Sequence, residues 1–243
     1  MVNKRAQWTP EQASTLSQLV PDQGGEFHFS VRMKKNISLI DRSPLEDFLL
    51  TVIPRATFQL PVLPHQVIKW TGGTTELKMN SNLGVLAQTR YWTPEGEQLG
   101  RGPLPPRVGS KTTYWVTVNV SNTIHDLYET KVAIPLAPGV VWTGRSSVSA
   151  GSPLKFDKTT NSFIWTIGRL DNFLGSHAPE VTTSIELAIT PGPENRNTAL
   201  TLVKGASASG IDAITKTPLT GTSPDATTEL SSDQHGGGNG IVQ

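Results

Sequence analysis

A chain of 243 residues with 36% hydrophobic and 17% charged residues is long enough for one or two domains and too apolar for wholesale disorder. Its net charge is +1, and Lys and Arg are spread along the whole length rather than gathered in a stripe, which argues against nucleic acid as a partner. Cysteine is absent, which removes disulfides, thiolate metal sites and thiol nucleophiles together.

The N-terminus, MVNKRAQW, has a basic start with no apolar stretch behind it and is not a secretory signal. Nowhere is there an apolar run long enough to cross a bilayer. PEQASTLSQL (10–19) is the one helical candidate, a turn or two inside a loop. Strands are expected at FHFSVRM (27–33), at 48–53 and at 67–70, ahead of TTEL at 74–77. Residues 83–109 read as a strand, a PEG turn at 94–96 and a stiff Pro-rich junction.

The second half alternates more clearly. TTYWVTVNVSN (112–122) places Tyr114, Val116, Val118 and Val120 on one face and Thr113, Trp115, Thr117 and Asn119 on the other. ETKVAIPL (129–136) repeats the pattern before an APG turn at 137–139 and a short strand, VVWTG (140–144). Strands at 161–168, 182–190 and 197–207 complete a run of about seven short strands, the pattern of a β-sandwich of immunoglobulin size. The tail, SSDQHGGGNGIVQ (231–243), reads as a flexible Gly-rich terminus.

TTEL recurs at 227–230. Trp8 stands 66 residues ahead of Thr74, and Trp165 stands 62 ahead of Thr227, with an alternating strand between each pair. This order points to a duplicated module. The first copy has only seven residues ahead of its Trp, so it lacks opening strands, and Phe27, Phe29, Val31 and Met33 are left without cover. The expected domains are therefore 1–82, the closing part of an incomplete module; 83–106, a strand-turn and Pro-rich junction; 107–230, a complete sandwich; and 231–243, the tail.

The stretch YWVTVNVSN through VVWTG, followed by FIWTIGRL, resembles the bacterial conserved-repeat surface domain, an immunoglobulin-like domain of unknown function. The residues that carry the resemblance are those at 114–118, Asn122, 136–140 (with an extra Ala137 before Pro138) and 165–170. It spans roughly 107–230, and 7–31 is similar to the closing half of another copy. The resemblance implies an all-β fold of tandem immunoglobulin-like sandwiches, the C-terminal part of a longer repeat protein of the cell surface or extracellular space. Its usual roles are stalk, spacer or adhesive module. It supplies no catalytic, cofactor-binding or metal residue.

Nor do the residues themselves suggest one. His28, His65, His125, His177 and His235 are scattered without ligand spacing. GASASG (205–210) lacks the second Gly of a nucleophile elbow and stands in an all-β setting. Glu46 and Asp47 are adjacent and would point to opposite faces of a strand. Asp126 and Glu129 are too few oxygen ligands for calcium. Trp8, Trp142 and Trp165 read as core aromatics, whereas Trp115 falls on the outward face, at a domain junction or exposed for contact. NIS (36–38) and NVS (119–121) match a glycosylation pattern that carries no weight in a bacterial protein.

The expected function is a non-enzymatic structural or adhesive surface module whose partners are neighbouring repeats, other surface proteins or glycans. Two alternatives stand beside it. One is a fibre-type subunit completed by a neighbour's strand, and the other is a carbohydrate-binding accessory of a larger hydrolase.

Overall fold

The computed structural model describes residues 5–20, 23–30, 49–176 and 178–243. By contacts the chain separates into two units, Met1–Pro44 and Leu45–Gln243, and each is described by itself.

In the first unit, Thr9 accepts backbone hydrogen bonds from Gln12 and Ala13, and a single 3-10 turn follows at Ser14–Leu16. The PEQASTLSQL segment thus makes turns and no α-helix. Trp8 packs on Phe27 and Phe29 with ring centroids 5.3 and 6.2 Å apart, and all three rings remain more than a third exposed. The described part of the expected 27–33 strand, 27–30, forms no strand, and 31–33 lie outside the described residues, as do Glu46, Asp47 and the NIS motif.

The second unit is all-β. Its strands are β1 (Leu49–Val52), β2 (Arg55–Leu60), β3 (Leu63–Thr71), β4 (Thr75–Lys78), β5 (Leu83–Arg90), β6 (Thr112–Asn122), β7 (Leu127–Pro135) and β8 (Val141–Val148). They continue with β9 (Lys155–Asp157), β10 (Ser162–Leu170), β11 (Val181–Ile189), β12 (Thr201–Val203), β13 (Ser207–Asp212), β14 (Pro218–Thr222) and β15 (Ala226–Thr227). Five strands form one antiparallel sheet in the order β14-β13-β7-β10-β9, and four form the other in the order β5-β6-β11-β8. This is an immunoglobulin-like β-sandwich, with β12 and β15 paired beside it.

The core forms where the alternation is strictest. On β6, Tyr114, Val116, Val118 and Val120 are fully buried, while Trp115, Thr117 and Asn119 face outward. Leu127, Val132 and Ile134 from β7, Phe163 and Trp165 from β10, and Ile185 and Leu187 from β11 complete it. Trp165 is fully buried, and its indole N–H donates to the Ala150 carbonyl. Trp142 lies edge-on to Phe163 at 5.2 Å.

The sandwich extends beyond 107–230 at both ends. β5 is a full member of the four-stranded sheet, with Leu83, Val85 and Ala87 buried. It also meets the opposite sheet. The Ala87 amide donates to Ser223 Oγ, and a Cβ added at Gly221 of β14 would run into the Leu83 carbonyl, so only glycine lets β14 pass this close. The segment 231–243 is packed rather than loose. Val242 is fully buried, its amide donates to the Thr198 carbonyl, and the Gln243 amide donates to the Pro106 carbonyl. Its glycines serve close approach, since a Cβ at Gly240 would strike the Thr228 carbonyl.

No described residue ahead of Ser81 is buried. The two TTEL copies each enter a two-stranded pairing, β1-β4 and β12-β15, but their surroundings differ: Trp8 lies in an exposed loop and Trp165 in the core. Four recurring residues fix a local pairing and carry no information about the distant packing that decides where a Trp sits.

Candidate functional site

Two polar constellations stand out in the second unit. The first is a buried knot that joins three loops. Asp212, at the end of β13, accepts hydrogen bonds from the Ser81 amide at 2.7 Å and from the Ile214 and Thr215 amides at 2.8 and 3.0 Å. His125 Nδ1 lies 2.9–3.0 Å from both carboxylate oxygens. A carboxylate only accepts, so Nδ1 carries the proton in this contact. Burial opposes the charge on Asp212, but the bonds from Ser81, Thr215, His125 and Ile214 outweigh it and hold the carboxyl at about 2. Ser81 Oγ contacts Thr123 Oγ1 and accepts from the Thr123 and His125 amides, and His125 Nε2 is buried without a hydrogen-bond partner among the described residues. Ser81 Oγ makes no hydrogen bond to the imidazole ring, and the bonds of the knot tie the three loops together.

The second constellation is a cleft of about 350 Å³ on the outer face of the four-stranded sheet, lined by Arg101, Gly102, Lys111, Thr113, Thr143, Arg145 and Glu186. A bulge builds it. Between the pairs Ile185↔Ser146 and Leu187↔Trp142, the single residue Glu186 faces Thr143, Gly144 and Arg145. Gly144 takes φ 92°, a left-handed conformation that suits glycine. The bulge aims Thr143 at Glu186: its hydroxyl lies 2.6 Å from Oε2 and 3.1 Å from the Glu186 carbonyl. Arg145 Nε stands 3.8 Å from Oε2. Across the sheet, Glu186 is the register partner of half-buried Trp115, and Arg101 bridges to Thr113 to form the far wall. Gly102, at φ 95°, lets that wall fold against the Lys111 backbone.

Glu186 is only 4% exposed, unusual for a carboxylate on the outer face of a sheet. Its Oε1 takes no hydrogen bond from a described residue, and neither Arg101 nor Lys111 has a carboxylate partner among them. The cleft therefore offers three cations and one accepting oxygen. The alternation in the sequence places Thr113 on the outward face beside Trp115 and singles out none of the other lining residues. The available signal was Gly144 inside an alternating run, where a lone glycine marks a bulge. The expected strand ends at Gly144, whereas β8 continues through the bulge to Val148.

The other residues weighed from the sequence have ordinary settings. GASASG runs into β13. Asp126 accepts from Arg169 and from the Asn172 amide, and Glu129 is exposed on β7. Asn119 lies within β6. His28 and His65 are exposed, His235 caps the tail turn against Pro94, and His177 lies outside the described residues. Among the described residues, no group of three or more His, Cys, Asp or Glu gathers as for a metal, and no helix is long and apolar enough to cross a membrane.

No protein-family model matches this chain, and no curated protein matches its sequence. Solved structures similar to it include bacterial pilins. A variant of the major pilin subunit BcpA of Bacillus cereus aligns at 9% identity and TM-score 0.39, over 72% of this chain and 55% of that one. The 35 kDa C-terminal fragment of the major pilin GBS80 of Streptococcus agalactiae aligns at 8% identity and TM-score 0.36, over 60% and 56%. Three N-terminal domains of the type V pili tip protein Mfa5 of Porphyromonas gingivalis align at 14% and 0.33, over 44% and 22%. The chain thus spans between about a fifth and just over half of these solved chains. At these identities and TM-scores the likenesses carry no argument about function, which rests on this chain's own residues.

Proposed function

We propose that the chain is a non-enzymatic structural and adhesive module of the cell surface, in line with its resemblance to the conserved-repeat surface domain. The observation that supports this reading is the way the sandwich is closed. β5 and the 231–243 segment are tied to it from both ends, through Ser81 on Asp212, Tyr91 and Trp92 on Asp233, and Gln243 on Pro106. A body clamped in this way transmits load without opening, and it displays a built cleft on an outer face. Antibody raised against the chain should label intact, unpermeabilised cells that produce it, and surface proteolysis should remove the label. Labelling only after permeabilisation would contradict the proposal.

One feature favours the fibre-type alternative. The β2-β3 ribbon gathers Ala56, Phe58, Leu60, Ile68 and Trp70 on one face, with Phe58 and Trp70 43% and 53% exposed. A two-stranded ribbon with an uncovered apolar face is stable only when something packs on it. On this reading a neighbouring copy covers it. Sedimentation at rising concentration should show self-association, and Phe58→Ser with Trp70→Ser should weaken it by roughly tenfold or more. A chain that stays monomeric throughout excludes the fibre reading and leaves the stalk or spacer reading.

A further inference from the structure

The cleft at Glu186 has a charge pattern that stability of the sandwich does not require. An outward strand position beside Trp115 does not require a carboxylate, because burial to 4% exposure removes much of its solvation, and one hydroxyl and a cation 3.8 Å away restore that only in part. A structural ion pair would also match one cation to one carboxylate. Here three basic residues line the cleft with one acid, and Oε1 of that acid takes no hydrogen bond from a described residue.

We infer that this cleft binds a saccharide bearing a carboxylate beside free hydroxyls, a uronate-type sugar. The argument is one of complementarity. A ligand carboxylate takes charge-assisted hydrogen bonds from Arg145, Arg101 and Lys111, three basic residues on the cleft's lining. A neighbouring hydroxyl donates to Glu186 Oε1, which a sulfate ion, having no proton to donate, could not do. Trp115, the register partner of Glu186, stands beside the cleft without lining it. The volume of about 350 Å³ lies at the small end of ligand sites, enough for one or two sugar rings. This inference rests on the adhesive reading above and gives it a ligand.

The test is calorimetric titration of the full chain at low ionic strength, where exposed charges are least screened. The probes are a hexuronate tetrasaccharide, the same tetrasaccharide with its carboxyls reduced to alcohols, and tetraglutamate. The uronate should bind roughly tenfold or more tightly than either control, as expected when a charged and a neutral hydrogen bond act together. Glu186→Gln, Arg145→Gln and Lys111→Gln should each weaken it by about tenfold, with thermal midpoints close to that of the parent chain. The last two change exposed side chains, so they keep the test valid if Glu186→Gln unfolds. Equal binding of uronate and tetraglutamate would reduce the cleft to a basic patch and overturn the inference. So would no binding, or binding indifferent to the variants. Failure here with cell labelling intact removes the ligand and leaves the surface module. Binding without labelling does the reverse.

Discussion

Replacing Asp212 with alanine is expected to cost the sandwich about 3–5 kcal/mol of unfolding free energy, the scale for breaking a buried charge away from its donors. Asp212 is fully buried, and its removal strands the Ser81, Ile214 and Thr215 amides and the His125 Nδ1–H at once. The carboxyl ordinarily titrates near 3.8 and is held at about 2 in the fold. A folded value below the unfolded one means that ionised Asp212 stabilises the protein above pH ~4. That contribution, roughly 2 kcal/mol, declines as pH falls from ~4 and is gone below ~2. Urea unfolding near neutrality should show the large loss in the variant, and a series from pH ~5 downward should show a shallower acid dependence than in the parent chain. A loss below about 1 kcal/mol would mean that the three loops hold together without the knot.

Deleting residues 231–243 should lower the unfolding midpoint by about 5–20 °C. Asp233 accepts from the Tyr91 and Trp92 amides with one oxygen and from the His235 and Gly236 amides with the other. The deletion leaves the Tyr91 amide buried and unpaired, at about 1–3 kcal/mol, frees that of half-buried Trp92, and takes Val242 out of the core, at about 1.5–3 kcal/mol. At roughly 2–4 °C per kcal/mol for a domain of this size, these losses give the stated shift. The single change Asp233→Ala should reproduce about half of it. A melt within ~2 °C of the parent would show that the segment rests on the sandwich without supporting it.

What the sequence disclosed follows from range. On β6 the buried and exposed residues alternate within eleven positions, so the core face and the outward Trp115 can both be read locally. β5 was harder. Leu83, Val85 and Ala87 alternate as well, but the turn and proline-rich stretch behind them looks like a junction, and only the pairing with β6 reveals a sheet member. The 231–243 segment was misleading for a chemical reason. Glycine runs suit a flexible tail and a tight approach equally well, and the difference lies in Thr228, which Gly240 must pass. The knot and the cleft were out of local reach. His125 and Asp212 are 87 residues apart, and the cleft gathers side chains from β6, β8, β11 and the Arg101 segment around a bulge. Scattered histidines and an isolated Glu186 have no spacing that could announce such contacts.

The closure of the sandwich from both ends can be measured directly by native-state hydrogen exchange, residue by residue. The amides of Tyr91, Val242 and Gln243 donate to Asp233, Thr198 and Pro106, and they should exchange about as slowly as those in the centre of β6 and β11. If those three amides exchange at unprotected rates while β6 and β11 stay protected, the sandwich is not clamped, and the support for a load-bearing surface module is gone.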